Sequence, residues 1–280
     1  MIIIIESVYC SLNSLPSMGI NGTIATMAKI LAFTNQKGGV GKTTTCVNLS
    51  AFLVEAGKKV LIVDIDPQGN ATSGIGIDKE KEIRTVYDIL CDGAEISEVV
   101  QKSPIKNLDI IPATVDLAGA EVELVRINGR ERLLKKHLDQ VRGSYDFICI
   151  DCPPSLGLLT LNALTSADAL MIPIQCEFFA LEGVSQLINT VRLIRKQGLN
   201  PNLDIDGVLL TMYDKRSTLT DQVANEILKF FGKKVFKTKI PRNVRLAEAP
   251  SHGVPITIYD RKCPGAVAYL QLMKEFLDRQ

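Results

Sequence analysis

The chain has 280 residues, 46% of them hydrophobic and 22% charged, and a formal net charge of +1. Such a length buries one large core or two small ones, and the near-neutral balance excludes a global pull toward nucleic acid or membrane, so any such partner must meet a local patch. Two histidines, His137 and His252, exclude a histidine-rich metal site, and seven scattered cysteines without an export signal predict reduced thiols and a cytoplasmic protein.

Residues 1–26 open with Ile2-Ile3-Ile4-Ile5 and continue through Ser, Asn and Gly. They lack the basic start and the apolar run of about 7–15 residues of a signal peptide. They read as an N-terminal extension, with Met27 an alternative start. Elsewhere no apolar stretch approaches the roughly 18–20 residues of a membrane span.

From Lys29 the pattern is strand, turn, helix, repeated. Ile30–Thr34 is a short apolar run ending in a Gly-rich turn, and Thr44–Ala56 carries helical spacing stopped by Gly57. Val60–Val63 and Leu108–Pro112 read as buried strands on either side of a polar stretch, 78–107. Phe147–Ile150, Ala169–Ile174 and Ile205–Thr211 follow as further strands, and Glu182–Gln197 as an amphipathic helix. The alternation predicts an α/β fold in which a mostly parallel, twisted sheet carries helices on both faces. With no linker or repeat after residue 27, a single domain over 27–280 is expected.

Cys149 and Cys152 have C-x-x-C spacing, but they lie on a strand whose alternate residues face opposite ways, and no second pair completes a tetrahedral metal site. Core packing is the better reading.

The Gly-rich turn carries chemistry. Gly41-Lys42-Thr43 fill the last three places of the phosphate-loop pattern G-x-x-x-x-G-K-[ST], with Gln36 in place of its first glycine. Gly38, Gly39 and Gly41 permit a tight path that turns N–H groups toward phosphate oxygens, and Val40 and Thr44 belong to the same nucleotide-holding run. Lys42 would neutralise the β- and γ-phosphates of ATP and Thr43 would ligate Mg²⁺. These features define a P-loop NTPase. Lys37, at the start of the loop, can lean away from its own cradle toward a nucleotide held by another subunit, an arrangement that needs a homodimer.

Asp64 and Asp66 end one strand and Asp151 another, at the edge where ligands of open α/β sheets bind. An acid after a strand is by itself most often a cap or turn former. Beside a phosphate loop the balance reverses: Asp151 and Asp66 become candidates for the Mg²⁺ shell, Asp66 for positioning the attacking water, and Asp64 for supporting the loop.

Between Leu210 and Arg245 there are nine basic residues against three acids. Charge alone leaves open whether this is a solvated lysine face or a patch that neutralises DNA phosphates without reading sequence. In the C-terminal segment, 264–280, Lys274 and Arg279 face Glu275 and Asp278 in the charge count, and Val267, Leu270, Met273 and Leu277 suit packing on the core better than membrane binding.

Lys37-Gly38-Gly39-Val40-Gly41-Lys42-Thr43-Thr44 resembles the deviant Walker A loop of the ParA/MinD ATPases, in which the first lysine reaches across an ATP-sandwich dimer. Residues 66–73 (Asp-Pro-Gln-Gly-Asn-Ala-Thr-Ser), 151–155 (Asp-Cys-Pro-Pro-Ser) and 240–252, which open Ile240-Pro241-Arg242-Asn243, are similar to the ParA/Soj branch. The likeness runs from about Met27 to the C-terminus. It implies an ATPase of weak intrinsic turnover for chromosome or plasmid partition. In that scheme an ATP dimer binds double-stranded DNA non-specifically, on the nucleoid, until a ParB-type centromere-binding protein speeds hydrolysis. The likeness also implies that Met212, Pro241 and Asn243 lie at the adenine and that Arg216 and Arg245 contact DNA. A MinD-like regulator of division-site placement is the alternative. A cluster carrier would need cysteines at a dimer axis, where Cys152 has no clear companion, and the extension before Met27 is far too short for an operator-reading domain.

Overall fold

The computed structural model describes residues 27–81, 83–177 and 180–280. The expected extension before Met27 lies outside the described residues. Eight strands form one sheet: β1 Lys29–Phe33, β2 Val60–Asp64, β3 Gln101–Lys102, β4 Leu108–Ile111, β5 Phe147–Asp151, β6 Ala169–Gln175, β7 Asp204–Tyr213 and β8 Val235–Pro241. Their spatial order is β3-β4-β2-β5-β1-β6-β7-β8, and every pairing is parallel except the short β3–β4 edge. β1 therefore sits where the strand order reverses, and the crevice beyond its carboxyl end is the place where doubly wound sheets bind ligands.

The longer helices are α1 Lys42–Glu55, α2 Leu133–Val141, α3 Leu158–Ser166, α4 Ala180–Lys196, α5 Thr218–Phe231 and α6 Pro264–Asp278. Strand alternation sorts the core into two layers. Ile30, Ala32, Leu61, Val63, Ile148 and Ile150 face the layer that holds α2 to α5, and Leu31, Phe33, Val60, Ile62, Phe147 and Cys149 face the layer of α1 and α6. Cys149 and Cys152 fall in different layers, as strand geometry requires, and both thiols are buried. Burial pushes the Cys149 thiol up to about 12, which leaves it inert as a nucleophile.

Two readings change with the structure. The polar stretch 78–107 holds two short helices, Val86–Leu90 and Ile96–Val99, and the antiparallel edge strand β3. The first of these is set by a capping box, with Thr85 as N-cap and Asp88 reaching back to the Thr85 N–H. On α6 the buried face is Ala266, Tyr269, Leu272, Met273 and Phe276, whereas Val267 is exposed. Pro264 opens the helix at its first turn, where its missing N–H leaves no helical bond unmade. Tyr269 ties the helix to α1 through a 3.1 Å hydroxyl contact with Thr45, and Glu275 accepts from the Lys237 and Thr238 N–H groups of β8. No described helix is long and apolar enough to cross a membrane.

Candidate nucleotide site

β1 ends at Phe33 and α1 begins at Lys42, so the intervening residues form the loop at the switch point. Gly39 and Gly41 have φ of 73° and 85°, values that a side chain would strain. Gly41 is the N-cap of α1 and makes no side-chain cap, and the first helical bond runs from Thr45 N–H to the Gly41 carbonyl at 2.9 Å. The N–H groups of Lys42, Thr43 and Thr44 are therefore free of helical partners and face the loop. Two side chains brace the turn. Thr211 of β7 donates to the Val40 carbonyl at 2.8 Å, and Asn35 accepts from the Lys37 N–H at 3.0 Å while donating to the Pro173 carbonyl of β6 at 2.8 Å.

Lys42 is 6% exposed, and its Nζ donates to the Lys37 carbonyl at 3.3 Å. Burial pulls its pKa down, and the negative field of Asp151 is the largest opposing influence. The side chain of Lys37 leaves the cradle instead and pairs with Glu177.

The carboxylates converge from β2 and β5, whose ends are in register at Asp64 and Asp151. Asp64 is fully buried and accepts from Thr72 N–H at 2.8 Å, Thr72 hydroxyl at 2.7 Å and Asp66 N–H at 3.2 Å. Burial still pushes its pKa up to about 6, against the pull of the Thr72 bonds. Asp66 is 7% exposed, and its Oδ1 accepts from Gln68 N–H at 2.9 Å. Asp151 is fully buried, and neither of its oxygens has a partner at strict hydrogen-bond geometry, although the Thr43 hydroxyl lies close enough to pull on it. Its pKa is driven well up, first by burial and then by Asp64, while the Thr43 side chain and Lys42 pull the other way. A buried carboxyl with two under-satisfied oxygens beside a threonine hydroxyl is a hard-oxygen donor set, which fits Mg²⁺. Among the described residues no group of three or more His, Cys, Asp or Glu could hold a metal ion by itself.

Beside the loop lies a cavity of about 380 Å³ lined by Gly41, Thr44, Thr211, Met212, Pro241 and Asn243, with Leu246 and Tyr269 behind them. Met212 has φ of 49°, rare for a side-chain-bearing residue, at the point where β7 passes the loop. Asn243 spends its Oδ1 capping the helix Val244–Glu248, accepting from Arg245 N–H at 3.1 Å, which leaves its amide nitrogen for other partners.

A family model described as an AAA domain matches residues 28–205. The chain is 61% identical over 249 residues to the sporulation initiation inhibitor protein Soj of Bacillus subtilis, covering 89% of this chain and 98% of that protein. It is 53% identical over 253 residues to the chromosome-partitioning ATPase Soj of Treponema pallidum, covering 90% and 98%. The chain belongs to the Soj/ParA family of P-loop ATPases. Among solved structures, a cobyrinic acid a,c-diamide synthase from Mycobacterium smegmatis with bound ADP and magnesium matches with a TM-score of 0.78 at 38% identity, covering 90% of this chain and 94% of that one.

In this Soj/ParA chain the basic segment is not one continuous face. Lys229 pairs with Glu226 and Lys234 with Asp204, so part of the excess is neutralised locally. Arg216 lies in an open groove of about 760 Å³ with Lys215, Lys239, Arg242 and Lys262, the last outside the segment that sequence singles out. Its guanidinium grips Asp214 with two 3.1 Å bonds and holds that carboxyl down at about 2. Arg245 sits apart on the helix Val244–Glu248, paired with Glu248 at 2.9 Å and Asp260 at 3.7 Å. Pro241 and Arg242 line both the groove and the cavity beside the loop.

Thr72, Thr211, Asn35 and Glu177 escape sequence reading, because each acts through a partner that only the fold supplies. Thr72 shows this most directly: its hydroxyl donates to Asp64 and accepts from Ala113 N–H at 3.0 Å, joining the ends of β2 and β4. Thr72→Val keeps the shape and removes both hydroxyl bonds, leaving the buried Ala113 N–H unpaired and Asp64 with only its two main-chain donors. It is expected to lower stability by about 1–3 kcal/mol, measured by urea denaturation, and a variant as stable as the wild type contradicts this bracing role.

Proposed function

We propose that this chain is an ATP-hydrolysing switch that partitions chromosomes or plasmids, alternating between an ATP-bound dimer on DNA and a released ADP form. The observation that supports it most is the division of labour between the loop's two lysines: Lys42 turns into the cradle and Lys37 out of it. A P-loop that served only its own nucleotide would have no use for the second.

The first-turn N–H groups and Lys42 hold the phosphates over Gly38, Gly39, Val40 and Gly41, and Thr44 borders the base. Thr43, Asp66 and Asp151 would hold Mg²⁺, which would supply positive charge to offset that of the triphosphate. Asp66 also orients the attacking water, using the oxygen that Gln68 does not occupy. Met212, Pro241 and Asn243 enclose the adenine, the asparagine through its unspent amide nitrogen. Lys37 completes the cage of a second molecule, so ATP makes a homodimer.

Dimer formation joins two sets of cations, with Arg216 and Arg245 among them, into a bivalent hold on double-stranded DNA that reads no sequence. A ParB-type centromere-binding protein speeds hydrolysis, the dimer parts, and each half lets go. The protein works in the cytoplasm on the nucleoid. A MinD-like membrane role has little support, because the apolar stripe of α6 is spent on the core.

Asp66→Ala is expected to keep ATP uptake while phosphate release falls at least about 100-fold; normal turnover in that variant moves the water-positioning role elsewhere. Binding to random duplex DNA, followed by fluorescence anisotropy, is expected to be tighter with ATP than with ADP. Arg216→Ala and Arg245→Ala should each weaken it alike on all sequences and reduce the salt slope by about one. Equal affinity with the two nucleotides defeats the switch.

A further inference from the structure

The peptide and the side chain of Lys37 serve different masters. Its N–H is fixed by Asn35, itself anchored to β6, and its carbonyl receives the Lys42 ammonium, so the backbone belongs to the chain's own cradle. Its ammonium is held instead by Glu177, just past the end of β6. The charge that would serve a second molecule is thus already satisfied within the first.

We propose that Glu177 is a positioning residue that restrains Lys37 from a neighbouring molecule's nucleotide, and that dimer formation exchanges this carboxylate for a triphosphate. The inference rests on the reading of Lys37 as a group that acts across a dimer. The exchange runs forward because a triphosphate offers more negative charge and more acceptor oxygens than one carboxylate. It stays reversible because the pair is exposed, at 35% for Lys37 and 48% for Glu177, and solvent screens it. Breaking one such pair shifts an equilibrium by roughly 1.4- to 5-fold. A symmetric dimer breaks two, so the restraint amounts to roughly 2- to 30-fold in dimer affinity. A restraint of that size sets the threshold for assembly without preventing it. Were Glu177 instead a guide that aims Lys37 at its target, its removal would weaken the dimer.

The sign of the effect is therefore the test. Sedimentation equilibrium with a non-hydrolysable ATP analogue and Mg²⁺ gives the dimer dissociation constant of the wild type, Glu177→Gln, Glu177→Asp and Lys37→Ala. Glu177→Gln is expected to tighten the dimer by roughly 2- to 30-fold, with the gain shrinking as salt rises. Glu177→Asp, which keeps the charge, should stay near wild type, and Lys37→Ala should remain monomeric. Uptake of the analogue at dilute concentration, unchanged in Glu177→Gln, shows that the variant is folded and its own cradle intact. A dimer that is unchanged or weaker in Glu177→Gln, alongside a wild type that dimerises, overturns the restraint and leaves the role of Lys37 standing. A wild type that stays monomeric, or a Lys37→Ala variant that dimerises normally, overturns the trans reading and the restraint with it.

Discussion

The structure is organised around an ammonium taken out of water at the mouth of a parallel sheet. Lys42 is almost wholly buried at the first turn of α1, facing carboxylates that arrive from β2 and β5. Buried charges are costly unless paired and hydrogen-bonded, and here the pairing is incomplete: Asp151 keeps two oxygens with no donor at strict hydrogen-bond geometry. The surrounding fold tolerates this because the strands that carry the acids are locked in register and Thr72 satisfies Asp64 on the far side. The site is thus a place where stability is given up for affinity, and a ligand that binds only the folded chain returns it.

The sheet order explains why these groups can meet. With β1 at the reversal point, the loop, the ends of β2 and β5, and the ends of β7 and β8 all open on one crevice. One side collects the acids Asp64, Asp66 and Asp151, and the other holds a cavity whose wall is mostly uncharged, with Arg242 as its charged member. The cavity beside the loop has a second neighbour. Pro241 and Arg242 separate it from the basic groove by a single layer of chain, while Met212 and Tyr213, adjacent in sequence, line the cavity and the groove respectively. Nucleotide and polyanion would therefore press on one shared wall, which ties the two halves of the proposed cycle within a single subunit as well as through dimerisation.

The parallel sheet and the phosphate loop were legible because their signals are local: uninterrupted apolar runs, and glycines placed where backbone must approach phosphate. Asp66 and Asp151 were legible as acids at strand ends, though only the loop beside them gave that position meaning. What sequence could not supply was pairing across distance. The 78–107 stretch looks featureless because its helices are short and its strand has two residues. The face of α6 was misjudged at Val267 because helical spacing fixes a stripe only once its phase is known. The basic segment suffers the same limit: nine cations in a row of residues become one groove and several ion pairs when β7, α5 and β8 fold back on one another. Glu177 carries no signal at all until β6 brings it alongside Lys37.

The central claim is that main-chain N–H groups and the buried Lys42 ammonium form a cage for a triphosphate. Isothermal titration of the pure chain with ATP in the presence of Mg²⁺, run beside Lys42→Ala, tests it most directly. The account predicts saturable uptake of a single nucleotide per chain, lost in the alanine variant; a wild type that gives no binding heat across the temperatures and concentrations where it is folded, or a variant that binds equally well, contradicts it.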